Sequence, residues 1–179
     1  MNVFFADSVP GTFAGSSPGA ALARDVEAWQ RASLAYTPED AFRPRFNLEQ
    51  WRGVSAYMTL VELRAGQALF AQGDLDRSFY LVLEGTLQGF AKPVPGQAVP
   101  KVVMWRSGQV LGEAGLFSAT PRMASVEAMS SSRLLALKSA RLDELVQRAP
   151  ALAAEWLKAA GCVLATRMRW ALTQNQICV

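Results

Sequence analysis

The run YMTLVELRAGQALFAQGDLDRSFYLVLEGTLQGFAK, residues 57–92, decides the fold. It holds the segments YMTLVEL, QALFAQ, SFYLVLEG and TLQGFAK, all rich in Val, Leu, Phe, Tyr or Met, with RAG, GDLDR and EG between them. β-Branched and aromatic residues suit a pleated, half-buried chain, and Gly/Asp clusters supply its turns. Strands recurring every eight to twelve residues or so predict an antiparallel sandwich or barrel. KVVMWRS (101–107) continues the series after PVPGQAVP, and MASVEAM (123–129) and RLLALK (133–138) extend it.

Upstream the pattern changes. Residues 1–20 are rich in Gly, Pro, Ser and Ala and predict an irregular leader. ALARDVEAWQRASL spaces Leu22, Val26, Trp29 and Ala32 as an amphipathic helix does. YTPEDAFRPRF then predicts a connector, and NLEQWRGV a short second helix. Downstream, SARLDELVQRAP predicts a helix with Ser139 as its cap and Pro150 as its stop. A last helix is expected from about ALAAEW to Thr173, with Leu152, Trp156, Ala159, Val163, Thr166 and Trp170 along one heptad-like seam. That seam suits either a helix laid on its own sheet or a dimer interface. The expected fold class is therefore mainly β with flanking α. It is an antiparallel, jelly-roll-like β-roll with N-terminal helices and two C-terminal helices, divided into a leader or linker at 1–45 and a roll with its helices at 46–179.

Composition narrows the function. The 179 residues fit one domain with a real core. No apolar run approaches the roughly 20 residues that span a bilayer, and the N-terminus lacks a basic leader, so neither membrane insertion nor secretion is expected. Net charge is +3 with Lys and Arg scattered, which predicts no nucleic-acid partner. Cys162 and Cys178 are too few for a disulfide framework and suggest free thiols in a reducing, cytoplasmic compartment. The chain has no histidine, which removes Ser-His-Asp and Cys-His catalysis, histidine-ligated metals and the metal-dependent cupin enzymes. No paired Asp/Glu constellation replaces them. Neither an enzyme, a metal nor a resident cofactor is expected.

One stretch between strands remains, GEAGLFSATPRMAS (112–125), with Glu113 and Arg122 flanking small residues. Irregular backbone held by rigid strands is a usual place for a binding site. An arginine is a planar, permanently charged fork suited to phosphate, and the amides at a short helix's start favour an anion. Gly112, Ala114 and Gly115 allow close backbone approach, and a carboxylate such as Glu113 can accept from a ribose hydroxyl. Singly, Glu113 also suits a helix N-terminus, and Arg122 suits a surface turn or a direct pair with Glu113.

From VELRAGQALFAQGDLDRSFYLVLEGTL through GEAGLFSATPRMASVEAM to RLDELVQRAPAL, the order resembles the cyclic-nucleotide-binding domain of catabolite-activator regulators and protein kinase A regulatory subunits. The resemblance rests on the turn glycines Gly66, Gly73, Gly85, Gly108 and Gly112, on QGD and YLVLEG, and above all on GEAGLFSATPRMA as a phosphate-binding cassette. It implies a ligand site at Gly112, Glu113, Ala114, Gly115, Leu116, Pro121, Arg122, Met123 and Ala124. The implied ligand is a cyclic nucleotide, with signalling by movement of the C-terminal helices. Members that favour cyclic GMP often carry threonine after the cassette arginine; Met123 stands there, which favours cyclic AMP. Ala114 replaces a usual leucine. The resemblance also allows Trp156 or Trp170 to cap the base, although for either one packing against the roll or a dimer mate is the expected role. A DNA-binding element is not expected after the last helix. Alternatives are a ligand-free structural or oligomerisation module, and the regulatory part of a sulfate-permease-like anion transporter. Expected partners are therefore the nucleotide itself, a second copy through the last helix, or a membrane transporter or other effector.

Overall fold

A computed structural model of the chain describes residues 18–91 and 102–175. The elements run α1 (Pro18–Ala35), α2 (Leu48–Ser55), β1 (Thr59–Leu63), β2 (Ala68–Phe70), β3 (Phe79–Glu84), β4 (Thr86–Phe90), β5 (Val103–Arg106), β6 (Val110–Leu111), α3 (Ala114–Phe117), β7 (Ser125–Ala128), β8 (Ser132–Leu137), α4 (Ser139–Arg148) and α5 (Pro150–Asn175). The strands form two four-stranded sheets, β1-β8-β3-β6 and β2-β7-β4-β5, and every pairing is antiparallel. This is the expected β-roll with its helices at both ends. The irregular leader falls almost wholly outside the described residues, as does Cys178, while Cys162 is an exposed free thiol. Among the described residues no helix is long and apolar enough to cross a membrane.

The alternation of side chains along a strand explains the core. In β3 the residues Tyr80 and Val82 face the second sheet, where they join Leu87, Leu111, Val126, Leu134 and Ala136. Phe79, Leu81 and Leu83 point the other way, into the helices. With both faces covered, FYLVL has no need of polar residues, which is why it reads as a continuous apolar run. By the same logic Leu135 and Leu137 of β8 join the helical layer while Leu134 and Ala136 join the inner one.

The helical layer is an aromatic cluster. Phe42 stands 4.7 Å from Trp156 of α5, 5.1 Å from Phe79 of β3 and 5.9 Å from Trp29 of α1, centroid to centroid. Asn47 and Gln50 close a reciprocal capping box at the start of α2, each side chain accepting from the other's backbone amide at 2.8–2.9 Å. Arg133 on β8 ties α1 to the sheet through Asp25 (3.1 Å) and also reaches Glu84 (3.1 Å) and Glu62 (3.4 Å).

Two expectations about the helices change, and one open alternative is decided. Lys138, not Ser139, holds the N-cap of α4, and no side chain caps it. Pro150 does more than end α4: it is the first residue of α5, where its missing N–H costs nothing. Of the two readings of the α5 seam, packing on the domain's own body is the one taken: Trp156, Ala159, Val163 and Thr166 are buried there and Leu152 is half-buried. Its last member, Trp170, stands outside at 38% exposure.

Candidate functional site

β6 pairs with β3 for two residues, Tyr80 with Leu111 and Leu81 with Val110, and so delivers Gly112 to the mouth of the roll. The backbone of Gly112 adopts φ +87°, which glycine reaches at little cost. A single helical turn, α3, follows. Its Gly115 amide is already bonded to the Gly112 carbonyl at 3.1 Å. The guanidinium of Arg122, rather than a helix terminus, is therefore the main anion-attracting feature here.

Arg122 is held from several sides. Its amide donates to the Asp74 carbonyl (2.8 Å), and its own carbonyl accepts from Gly73 (2.9 Å), so the GD turn after β2 fixes its backbone. Its Nη2 donates to Asp76 Oδ2 (2.5 Å) and to the Ser78 carbonyl (2.7 Å). The guanidinium lies 4.0 Å over the Phe70 ring and 5.8 Å from that of Tyr80. The residue is only 9% exposed, and its Nε is buried without a hydrogen-bond partner. Its Nη1 faces the glycines: a Cβ on Gly112 would sit 2.9 Å away, and one on Gly115 3.5 Å away. A buried guanidinium with an unmet donor, bordered by two residues without side chains, suits a small anion.

Asp76 also accepts from Ser78 Oγ (2.7 Å) and the Tyr80 hydroxyl (3.0 Å). Burial pushes its carboxyl up, but the bonds from Ser78 and Arg122 and the charge of Arg122 outweigh that and hold it below the usual carboxylate range. Burial, reinforced by the Asp76 charge, pushes the Tyr80 phenol up to about 12.

Glu113 is drawn elsewhere. It is 8% exposed, and its Oε1 accepts from Arg167 Nη1 of α5 at 3.0 Å. Arg167 also donates from Nε to Asp40 Oδ2 (2.9 Å) and from Nη2 to the Val110 carbonyl (3.0 Å). Burial works against its charge, but Glu113 and Asp40 more than compensate and raise its pKa. Of the alternatives the sequence left open for these two residues, the direct Glu113–Arg122 pair is not formed: Arg122 pairs with Asp76 and Glu113 with Arg167. Glu113 occupies the N-cap of α3 without making a side-chain capping bond.

Of the other expected site residues, Gly112 and Gly115 border Arg122, and Leu116 rests against the helical core. Ala114 and Ala124 are half-buried, Pro121 is exposed, and Met123 projects at 73% exposure. Of the two roles open to Trp156, packing against the roll is the one it takes: it is fully buried in the aromatic cluster and does not reach a base. Among the described residues no group of three or more His, Cys, Asp or Glu could hold a metal ion. Sequence reading missed Asp76, Ser78, Phe70, Tyr80, Asp40 and Arg167. A signal existed for Arg167 alone, as the first charge after Lys158 in the apolar run AAGCVLAT.

Residues 60–149 match the family model described as a cyclic nucleotide-binding domain. A solved cyclic nucleotide-binding domain from Methylobacillus flagellatus superposes with a TM-score of 0.70 at 19% identity, covering 87% of this chain and 83% of that one. The cyclic AMP receptor protein of Thermus thermophilus is 33% identical over 88 residues, 49% of this chain and 40% of that protein. Lysophospholipase nte1 of Aspergillus fumigatus is 27% identical over 158 residues, and this chain, 88% covered, spans 10% of that protein's length.

Proposed function

The chain belongs to the cyclic nucleotide-binding domain family, and on that premise we propose that its cassette takes a cyclic nucleotide, cyclic AMP ahead of cyclic GMP, and works as a regulatory sensor. The observation that carries this proposal is Arg122: a guanidinium nine-tenths buried, with an unpartnered Nε and an Nη1 turned to two glycines. Arg122 holds the cyclic phosphate, for which a planar fork is better suited than an ammonium. Glu113 accepts from the ribose hydroxyl. Met123 brings no hydroxyl to a guanine, which supports the preference for adenine.

Output follows from the partners these two residues already have. Asp76 holds Arg122, and Arg167 on α5 holds Glu113, so a ligand at the cassette bears directly on the position of the last helix. The ligand shifts that helix by its differential affinity for the two positions. Gly161 of α5 lies beside Phe117 of α3, where an added Cβ would sit 3.9 Å from the ring, so movement of either element meets the other. We assign the residues that touch the ligand to 46–179 and treat 1–45 as a leader whose described part rests on that unit. The exposed end of α5, Met168, Trp170 and Leu172, is offered to an effector or a second copy in the cytoplasm.

Titration calorimetry on the purified chain tests the proposal. Cyclic AMP releases or absorbs measurable heat and binds more tightly than cyclic GMP, and Arg122→Ala abolishes the signal. Absence of heat with either nucleotide up to millimolar concentration, or an Arg122→Ala chain that binds like the wild type, overturns it.

A further inference from the structure

We infer that Asp40 is a positioning residue for the cassette, acting through Arg167 on Glu113, and that occupancy of the cassette is felt by the N-terminal connector 36–43 as well as by α5. The inference rests on the proposed role of Glu113 as the ribose acceptor.

The geometry is a chain of polar contacts across three parts of the molecule. The Tyr36 hydroxyl donates to Asp40 Oδ1 at 2.7 Å. Asp40 Oδ2 accepts from Arg167 Nε at 2.9 Å, and Arg167 Nη1 donates to Glu113 Oε1 at 3.0 Å. The third nitrogen of the guanidinium holds the Val110 carbonyl at 3.0 Å, at the strand that leads into Gly112. A planar fork with every nitrogen engaged has one orientation, and loss of any partner frees it to rotate.

Burial makes the chain responsive. The side chains of Asp40 and Glu113 are 5% and 11% exposed, and that of Arg167 21%. Two buried carboxylates share one cation, so each depends on how the other holds it. When Glu113 gains a hydroxyl donor, its demand on Arg167 falls and the guanidinium leans toward Asp40. With Asp40 neutralised, Arg167 is steered by Glu113 and Val110 alone, and Glu113 loses the fixed geometry it presents to a ribose.

The connector is placed to register this. Arg43 Nη2 holds the Tyr36 carbonyl at 2.8 Å, which folds the segment on itself. Between Asp40 and Arg43 stands Phe42, wedged against Trp156 of α5 and Trp29 of α1. Beyond it, the Arg45 amide donates to Glu155 of α5 at 2.8 Å. Residues 36–45 thus grip α5 at Arg167, Trp156 and Glu155, spread along the helix. A shift of α5 that changes the Arg167 contacts meets this segment directly.

The test uses the full chain, hydrogen exchange of the 36–43 peptide and calorimetric titration with cyclic AMP. In the ligand-free chain Glu113→Gln lowers exchange in 36–43 about fivefold or more, because Arg167, less drawn to residue 113, is held harder by Asp40 and sub-global opening of the segment becomes rarer. Asp40→Asn, which keeps an acceptor for Tyr36 but removes the charge, weakens cyclic AMP binding about fivefold or more, the lower end of ordinary site-to-site coupling. A merely structural Asp40 lowers the melting temperature while leaving affinity within about twofold, on the same scale of coupling; that result overturns the inference, as does unchanged 36–43 exchange in Glu113→Gln. Should Asp40→Asn fail to fold, Tyr36→Phe replaces it and is judged by the same affinity criterion. If the wild type binds no cyclic nucleotide, the proposed function fails, and the ligand-free exchange of Glu113→Gln alone decides the relay.

Discussion

Gly112→Ala separates the contribution of the cassette's backbone from that of its contacts, because the protein carries a matched control. Gly112 and Gly66 adopt nearly the same conformation, φ +87° and +79°. A Cβ on Gly66 meets nothing within 4 Å, whereas one on Gly112 lies 2.5 Å from the Ser78 carbonyl and 2.9 Å from Arg122 Nη1. Placing alanine in the left-handed region costs roughly 1–2 kcal/mol at either position. At Gly112 a backbone carbonyl must also move, and forced repacking of that kind adds roughly 1–3 kcal/mol. Gly66→Ala is therefore expected to lose about 1–2 kcal/mol and Gly112→Ala about 2–5 kcal/mol, read from urea midpoints at constant slope. The ligand arm is sharper. Displacing Nη1 removes roughly one charge-assisted hydrogen bond, about 1.5–3 kcal/mol, or roughly 10–150-fold in cyclic AMP affinity, while Gly66→Ala binds as the wild type does. Equal stability losses in the two variants, with binding intact in both, refute the cradle as described.

Other substitutions probe the surrounding parts. Arg122→Lys keeps the charge but loses the fork, and calorimetry should show cyclic AMP binding weakened about tenfold or more. Asp76 is held below its unfolded pKa, so its contribution is complete above about pH 4 and is lost as pH falls through the folded value; Asp76→Asn should flatten the acid limb of the stability profile followed by circular dichroism. Tyr80 keeps its proton to about 12 when folded but releases it near 10 when unfolded, so stability falls as pH rises through that interval, and Tyr80→Phe should remove that part of the decline. Trp156→Ala empties the centre of the aromatic cluster and is expected to cost about 3–5 kcal/mol in denaturant titrations. Trp170→Ala should stay within about 0.5 kcal/mol, as an exposed position does, and any drop in the light-scattering mass of that variant identifies a dimer contact.

The roll was legible because its signals are local. FYLVLE and RLLALK declare strands by composition, and EG and RAG declare turns, so each strand can be read without knowing its neighbour. β6 escaped notice because Val110–Leu111 is two residues long and is a strand only through its pairing with Tyr80 and Leu81. The cassette was legible for the same local reason: Gly112, Glu113 and Arg122 lie within one short stretch. Their partners were not. Asp76 precedes Arg122 by 46 positions that include four strands and a helical turn, and Arg167 reaches Glu113 from a helix whose seam reads as coiled coil. Asp40 lies in a proline-flanked connector, where a carboxylate is ordinarily solvated. Long-range ion pairing leaves no periodicity to read, so nothing near Arg122 in the sequence pointed to Asp76 as its partner.

The two ion pairs differ in a way that assigns them different fates on the proposed reading. Asp76 is 35% exposed at its side chain while Arg122 is 7% exposed. If a phosphate takes Arg122, Asp76 can turn to water and recover its hydration, and the guanidinium never stands unpaired in a buried site. Breaking Arg167 from Glu113 offers no such relief, since Glu113 and Asp40 are 11% and 5% exposed and stranding a buried charge costs about 3–5 kcal/mol. A ribose hydroxyl recovers less than that, roughly 1.5–3 kcal/mol for a hydrogen bond to a charged group. The phosphate therefore displaces Asp76, whereas the ribose joins Glu113 and Arg167 without parting them. Arg167 stays bound to the cassette and must carry α5 with it wherever Glu113 goes.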